Sequence, residues 1–163
     1  ALDKIGISDI DLVMNLQGDE PLIDVDDIRN LHNLMIKTKS KLGTLASNIS
    51  DENIHLNPNV VKVTTKENLK KSKFPEAKSF MRKSNNSIDN IYHHLGIYCY
   101  QIETLKKFVS LSQSNNEIKN RLEQLRALDN NIRINVCHAK KTPIGVDTEE
   151  DFVAIKKIME YKS

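Results

Sequence analysis

Asp11-Leu12-Val13-Met14-Asn15-Leu16-Gln17-Gly18-Asp19-Glu20-Pro21 is the stretch on which the fold turns. The apolar run from Leu12 to Leu16 has the length of a buried strand. Gly18 then permits a close backbone approach, two carboxylates follow, and Pro21 stops the extended chain. In open α/β sheets ligands collect outside the carboxyl ends of the strands, so Asp19 or Glu20 is placed there to hold a metal ion or a charged substrate. A strand ending in a plain polar turn fits the same few residues equally well.

Composition narrows the class. A chain of 163 residues, 39% hydrophobic and 28% charged, is that of one soluble globular domain with a core of its own. The formal net charge of +2 is too small to mark a nucleic-acid or membrane surface. No run approaches the length of a membrane span, and the start is not signal-like. Cys99 and Cys137 fall inside apolar segments without ligand spacing, which predicts reduced thiols and a cytoplasmic home. Ala1 to Ile7 reads as the tail of a helix that starts elsewhere, so a piece of a longer protein is expected.

Further along, strands and helices alternate. Asp24 caps a helix on which Val25, Ile28, Leu31, Leu34 and Met35 keep a three-to-four spacing, with Asp26 and Asp27 in the first turn as a solvated face. Residues 42–49 and 60–64 read as strands, and the polar stretch 70–90 reads as a long surface connection or excursion. His93 to Tyr100 is a strand interrupted by Gly96, a position where something packs or binds against the backbone. His93 and His94 point to opposite faces, so they form no two-histidine metal site by themselves. A short helix follows over 102–109. Ser114 and Glu117 form a capping box opening a helix that carries Ile118, Leu122, Leu125 and Leu128 on one side, beside Glu123 and Gln124. Ile132, Ile134 and Val136 mark a strand suited to a sheet edge. Thr148 with Asp151 resembles a second capping box, opening a closing helix with Phe152, Ile155, Ile158 and Met159 inward. Asp147, just before it, suits either capping or a second metal ligand, since magnesium takes one or two carboxylates.

As a set these residues resemble a family. Gln17-Gly18-Asp19-Glu20-Pro21, Asn57-Pro58-Asn59-Val60-Val61-Lys62-Val63, His94-Leu95-Gly96-Ile97-Tyr98, Leu122-Glu123-Gln124-Leu125-Arg126 and Gly145-Val146-Asp147-Thr148 follow the order and approximate spacing of 3-deoxy-manno-octulosonate (KDO) cytidylyltransferases, also called CMP-KDO synthetases. The resemblance implies a nucleotide-diphospho-sugar transferase-like, Rossmann-like α/β fold, with a mixed sheet flanked by helices in one partial domain over 1–163. It implies a reaction in which CTP and KDO give CMP-KDO and pyrophosphate for lipopolysaccharide assembly, with Mg²⁺ as cofactor and a homodimer at full length. Nucleic acid and membrane are not expected partners. Asp19 and Asp147 resemble the magnesium-binding aspartates and Gln17, His94, Tyr98, Glu123 and Gln124 the sugar-acid contacts. Arg82 resembles the arginine that meets the KDO carboxylate.

The family's opening strand and its basic, glycine-containing loop for the CTP phosphates have no counterpart here. The chain is therefore expected to lack the nucleotide-binding strands and loop, and to be inactive alone. After Arg82 the family's Ile-Pro is replaced by Lys83-Ser84-Asn85-Asn86. A nucleotidyltransferase for another sugar acid, or a degenerate homologue serving as a binding module, are the alternative readings.

Overall fold

The computed structural model describes residues 9–18, 20–84, 88–142 and 149–160, apart from the side chain of Asp151. In chain order these form β1 (Leu12–Asn15), α1 (Val25–Thr38), β2 (Leu42–Ser47), a 3₁₀ turn (Glu52–His55), β3 (Lys62–Thr65), β4 (Ala77–Met81) and β5 (Ile91–Gln101). Then come α2 (Ile102–Ser110), α3 (Asn115–Asn120), α4 (Gln124–Asp129), β6 (Asn135–His138) and α5 (Glu149–Glu160).

Among the described residues the strands make one mixed sheet in the order β4-β3-β5-β2-β6, with β1 added to β5. Strand β5 is the axis. Antiparallel β2 lies along one of its edges, while β1 and β3 share the other, β1 opposite Tyr98–Gln101 and β3 opposite Ile91–His93. Side chains alternate across the pleat, so β5 sends Tyr92, Tyr98 and Tyr100 into one apolar cluster and Leu95, Ile97 and Cys99 into the other. The first cluster is covered by Phe108 of α2 and by Leu122, Leu125 and Ala127; the second is covered by Leu31 and Met35 of α1. The mixed α/β sheet with helices on both faces is the architecture expected from the sequence.

Helix α1 begins where its cap is: the Asp24 carboxylate accepts from the Asp26 N–H at 2.9 Å. Asp27, expected on a solvated face, is instead buried and accepts from the Lys140 N–H at 3.0 Å, tying α1 to the chain after β6; burial raises its pKa. Strand β1 is only partly buried, because β5 is its one partner strand among the described residues. Residues 70–90, expected as a surface connection, contain β4. Its Phe80 is buried, yet the polar residues around it give no strong period, and the strand is secured by its ladder to β3. Strand β6 takes the predicted edge position.

The helix expected through 114–128 is broken in two. The capping box at Ser114 forms as predicted, but Arg121 adopts a left-handed backbone (φ 53°) and ends α3. The break lets Arg126 fold back on the buried Glu117, donating from Nε at 2.8 Å and Nη2 at 2.5 Å. A straight helix would set these side chains nine positions apart, out of reach of such a pair. Of the face expected inward on α5, Ile155 is buried while Phe152 and Met159 are half exposed.

Candidate active site

A bulge in β5 sets the site. The β2–β5 register moves from Thr44↔Tyr98 to Leu45↔Leu95, leaving Gly96 and Ile97 without partners on β2. The Thr44 hydroxyl stitches the bulge, donating to the Ile97 carbonyl at 2.7 Å. On the opposite edge β1 ends at Asn15, against Tyr98, and β3 begins at Lys62, against His93. A gap is left over residues 94–97, and a cavity of about 270 Å³ opens there, at the carboxyl end of β1.

Three segments bring Gln17, His94, Tyr98, Glu123 and Gln124 to this cavity. The Gln17 amide lies over Gly96, so near that a Cβ at that position would sit 2.6 Å from Gln17 Oε1. This is the close packing that a glycine inside a strand announces. Glu20 Oε1 accepts from the Gly96 N–H at 3.2 Å, fixing the chain beyond β1 against the bulge. His94 is buried, with Nε2 3.0 Å from the Thr44 hydroxyl. Because that hydroxyl gives its hydrogen to Ile97, Nε2 must carry the imidazole hydrogen, which leaves Nδ1 as an acceptor. Desolvation, with His93 beside it, pulls the pKa of His94 down to about 3, so the ring is neutral. Phe80, His94, Tyr98, Tyr100 and Phe108 form a continuous row of ring contacts at 5.1 to 6.0 Å between centroids. The row makes a stiff floor, and burial raises the Tyr98 pKa well above the ordinary phenol range, keeping its hydroxyl protonated.

Two cations hold the walls. Lys62 is wholly buried, and its ammonium donates to the carbonyls of Asn57 at 2.8 Å, Val60 at 2.7 Å and Arg82. Burial draws its pKa down to about 8. Arg82 in turn donates to the carbonyls of Pro58 (3.0 Å), Asn120 (3.2 Å) and Arg121 (3.0 Å). Arg82, expected at the substrate carboxylate, is therefore engaged with backbone and is not among the residues lining the cavity. Asp19 and Asp147 lie outside the described residues, and no group of three or more His, Cys, Asp or Glu side chains suited to a metal occurs within them. Sequence reasoning missed Asn59, Tyr100 and Arg121, which also line the cavity. Asn59 stands inside the quoted Asn-Pro-Asn motif, but Arg121 depends on a helix break that its residues do not announce.

The cavity offers amide, carboxylate, phenol and neutral imidazole groups on a rigid sheet edge, a set that matches a small polyhydroxylated ligand. A family model described as cytidylyltransferase matches residues 1–134. The chain belongs to the cytidylyltransferase family. Among curated relatives of this cytidylyltransferase chain, the 3-deoxy-manno-octulosonate cytidylyltransferase of Francisella tularensis subsp. holarctica is 37% identical over 165 residues, 97% of this chain. That of Thermodesulfovibrio yellowstonii is 37% identical over 169 residues, 98% of this chain. The chain spans 66% of the length of each. A solved CMP:2-keto-3-deoxy-manno-octonic acid synthetase complexed with CTP superposes with a TM-score of 0.83 at 27% identity, covering 99% of this chain and 67% of that one. Apo-UDP-glucose pyrophosphorylase, at 14% identity and a TM-score of 0.68 over 98% of this chain and 57% of that one, shares the fold.

Proposed function

We propose that this cytidylyltransferase chain carries the sugar-acid side of a CMP-KDO synthetase active site, in an enzyme that converts CTP and KDO to CMP-KDO and pyrophosphate. One observation carries the reading: Gln17, His94, Tyr98, Glu123 and Gln124, distant in sequence, line a single cavity at the carboxyl end of β1. KDO carries many hydroxyls on a rigid ring. Neutral His94 accepts through Nδ1, protonated Tyr98 donates or accepts, and the amides of Gln17 and Gln124 do both, so these groups orient the sugar through hydrogen bonds. In the reaction the anomeric oxygen of KDO forms a bond to the α-phosphorus of CTP, its proton is lost, and the bond to pyrophosphate breaks. Rigid placement of the sugar raises the rate by sparing the orientational entropy of the encounter.

Asp19 and Asp147 would hold Mg²⁺, whose preference for hard carboxylate oxygens they meet; Asp19 stands in sequence between the cavity residues Gln17 and Glu20. When bound, the ion supplies charge neutralisation for the phosphates. The buried free thiols Cys99 and Cys137 support a reducing, cytoplasmic setting, and a homodimer is proposed by family resemblance. No helix among the described residues is long and apolar enough to cross a membrane.

The test is pyrophosphate release by the enzyme expressed from the complete natural reading frame, with CTP, Mg²⁺ and KDO, against sialic acid and neutral sugar phosphates. Release is expected with KDO alone, and Asp147→Asn should abolish it without altering the thermal unfolding curve. No release with KDO overturns the assignment.

A further inference from the structure

Lys62 is a buried charge that none of the sugar contacts explains. It opens β3, between Met81 of β4 and His93 of β5, and is 0% exposed. An ammonium has three hydrogens and no acceptor, and here all three go to backbone carbonyls, those of Asn57, Val60 and Arg82. The charged group acting on it among the described residues is the like-charged Arg82 guanidinium, not a carboxylate. A buried cation without a counter-ion is costly to desolvate, and a methionine of similar volume would fill the same space without that cost. The charge is explained by the backbone it ties.

That backbone is one wall of the cavity, lined by Asn59, Val60 and Val61, whereas Lys62 itself is not among the lining residues. The carbonyls of Asn57 and Val60 turn to Lys62, that of Pro58 accepts from Arg82 Nη1 at 3.0 Å, and that of Val61 accepts from the His94 N–H at 3.0 Å. The last bond joins the wall to the strand that carries the cavity floor. Through the Arg82 carbonyl, Lys62 also fixes the backbone just after β4 to the same wall. Building on the sugar-acid reading above, we propose that Lys62 is a positioning residue for sugar-acid binding, whose ammonium touches no substrate but knots residues 57–60 to residue 82 and so sets the shape of the pocket beside His94. No neutral side chain can replace it, because a glutamine amide brings two hydrogens and would leave one buried carbonyl bare.

The experiment places Lys62→Ala in the enzyme expressed from the complete natural reading frame and follows pyrophosphate release with CTP, Mg²⁺ and KDO, below the thermal midpoint of each protein. The variant is expected to raise the KM for KDO about tenfold, the size of a hydrogen bond from a charged group, while the KM for CTP stays unchanged. Propylammonium, which supplies the deleted atoms, should bring the KM for KDO back toward the wild-type value. 1-Propanol, of the same length but uncharged, should not. Where Lys62→Ala folds only with an additive present, the two additives are compared directly: rescue by propylammonium alone supports the inference, and equal rescue by both, or by neither, overturns it. An unchanged KM for KDO in the variant, or a KM for CTP that rises with it, also overturns the inference and leaves the sugar-acid reading intact. Wild type that releases no pyrophosphate with KDO overturns that reading itself.

Discussion

Gly96 shows how much one missing side chain can decide. It does not adopt the left-handed backbone that usually calls for glycine; its role is to make room for the Gln17 amide. In Gly96→Ala the new Cβ would fall 2.6 Å from Gln17 Oε1, the far end of a flexible side chain, so Gln17 swings away at small cost to the fold. The expected result is roughly tenfold weaker sugar-acid binding, the value of one lost hydrogen bond, with the thermal midpoint nearly unchanged. Titration and a melting curve on the same sample check it. An alanine variant that binds as wild type does would remove Gln17 from the site. Arg82 combines a motif position that resembles a substrate contact with hydrogen bonds to the carbonyls of Pro58 and Arg121, which clasp two segments together.

At the scale of elements, α1 docks on β2 through a glycine. A Cβ on Gly43 would lie 2.7 Å from Met35 Sδ and 2.9 Å from both Leu31 Cδ1 and Phe74 Cζ, all three buried in one apolar cluster. Three neighbours in one buried cluster would have to give at once. Gly43→Ala should therefore destabilise the protein by about 1–3 kcal/mol through overpacking, read from a lower urea midpoint at unchanged slope. The broken helix is a second case. The capping box and the apolar spacing of 118–128 are both real, but they belong to different helices, because the Glu117–Arg126 pair and the Arg121 turn outweigh continuity. That break carries Arg121, Leu122, Glu123 and Gln124 to the cavity rim.

For the whole molecule, buried titratable groups on both sides of the sheet predict an acid-sensitive fold. Arg126 holds the buried Glu117 carboxyl down to about 2 from its usual 4.5. Its contribution is complete above pH 4.5 and is lost as the pH falls toward 2, on the order of 2–3 kcal/mol. His93 and His94 act earlier. With folded values of about 4 and 3 against 6.5 when unfolded, they let protons favour the unfolded chain as soon as the pH drops below 6.5. Stability from urea unfolding should thus begin to fall near pH 6.5 and steepen below 4.5. Glu117→Gln should flatten the lower part of the curve only. A variant curve parallel to wild type below pH 4.5 would show that the pair contributes nothing.

Local periodicity and chain chemistry determined the α/β class, the Asp24 and Ser114 caps, the edge position of β6 and the tight approach at Gly96. Each depends on neighbours in sequence or on a side-chain period that strands and helices impose directly. Tertiary structure alone decided that β4 forms within 70–90, that α3 and α4 separate at Arg121, that Asp27 is buried, and that Arg82 spans two loops while Arg121 lines the cavity. These outcomes depend on hydrogen-bond partners outside the immediate stretch, from nine residues away for Glu117 and Arg126 to 113 for Asp27 and Lys140, so the local sequence around each carries no signal of them. A backbone carbonyl left bare by one loop selects its donor by distance in space.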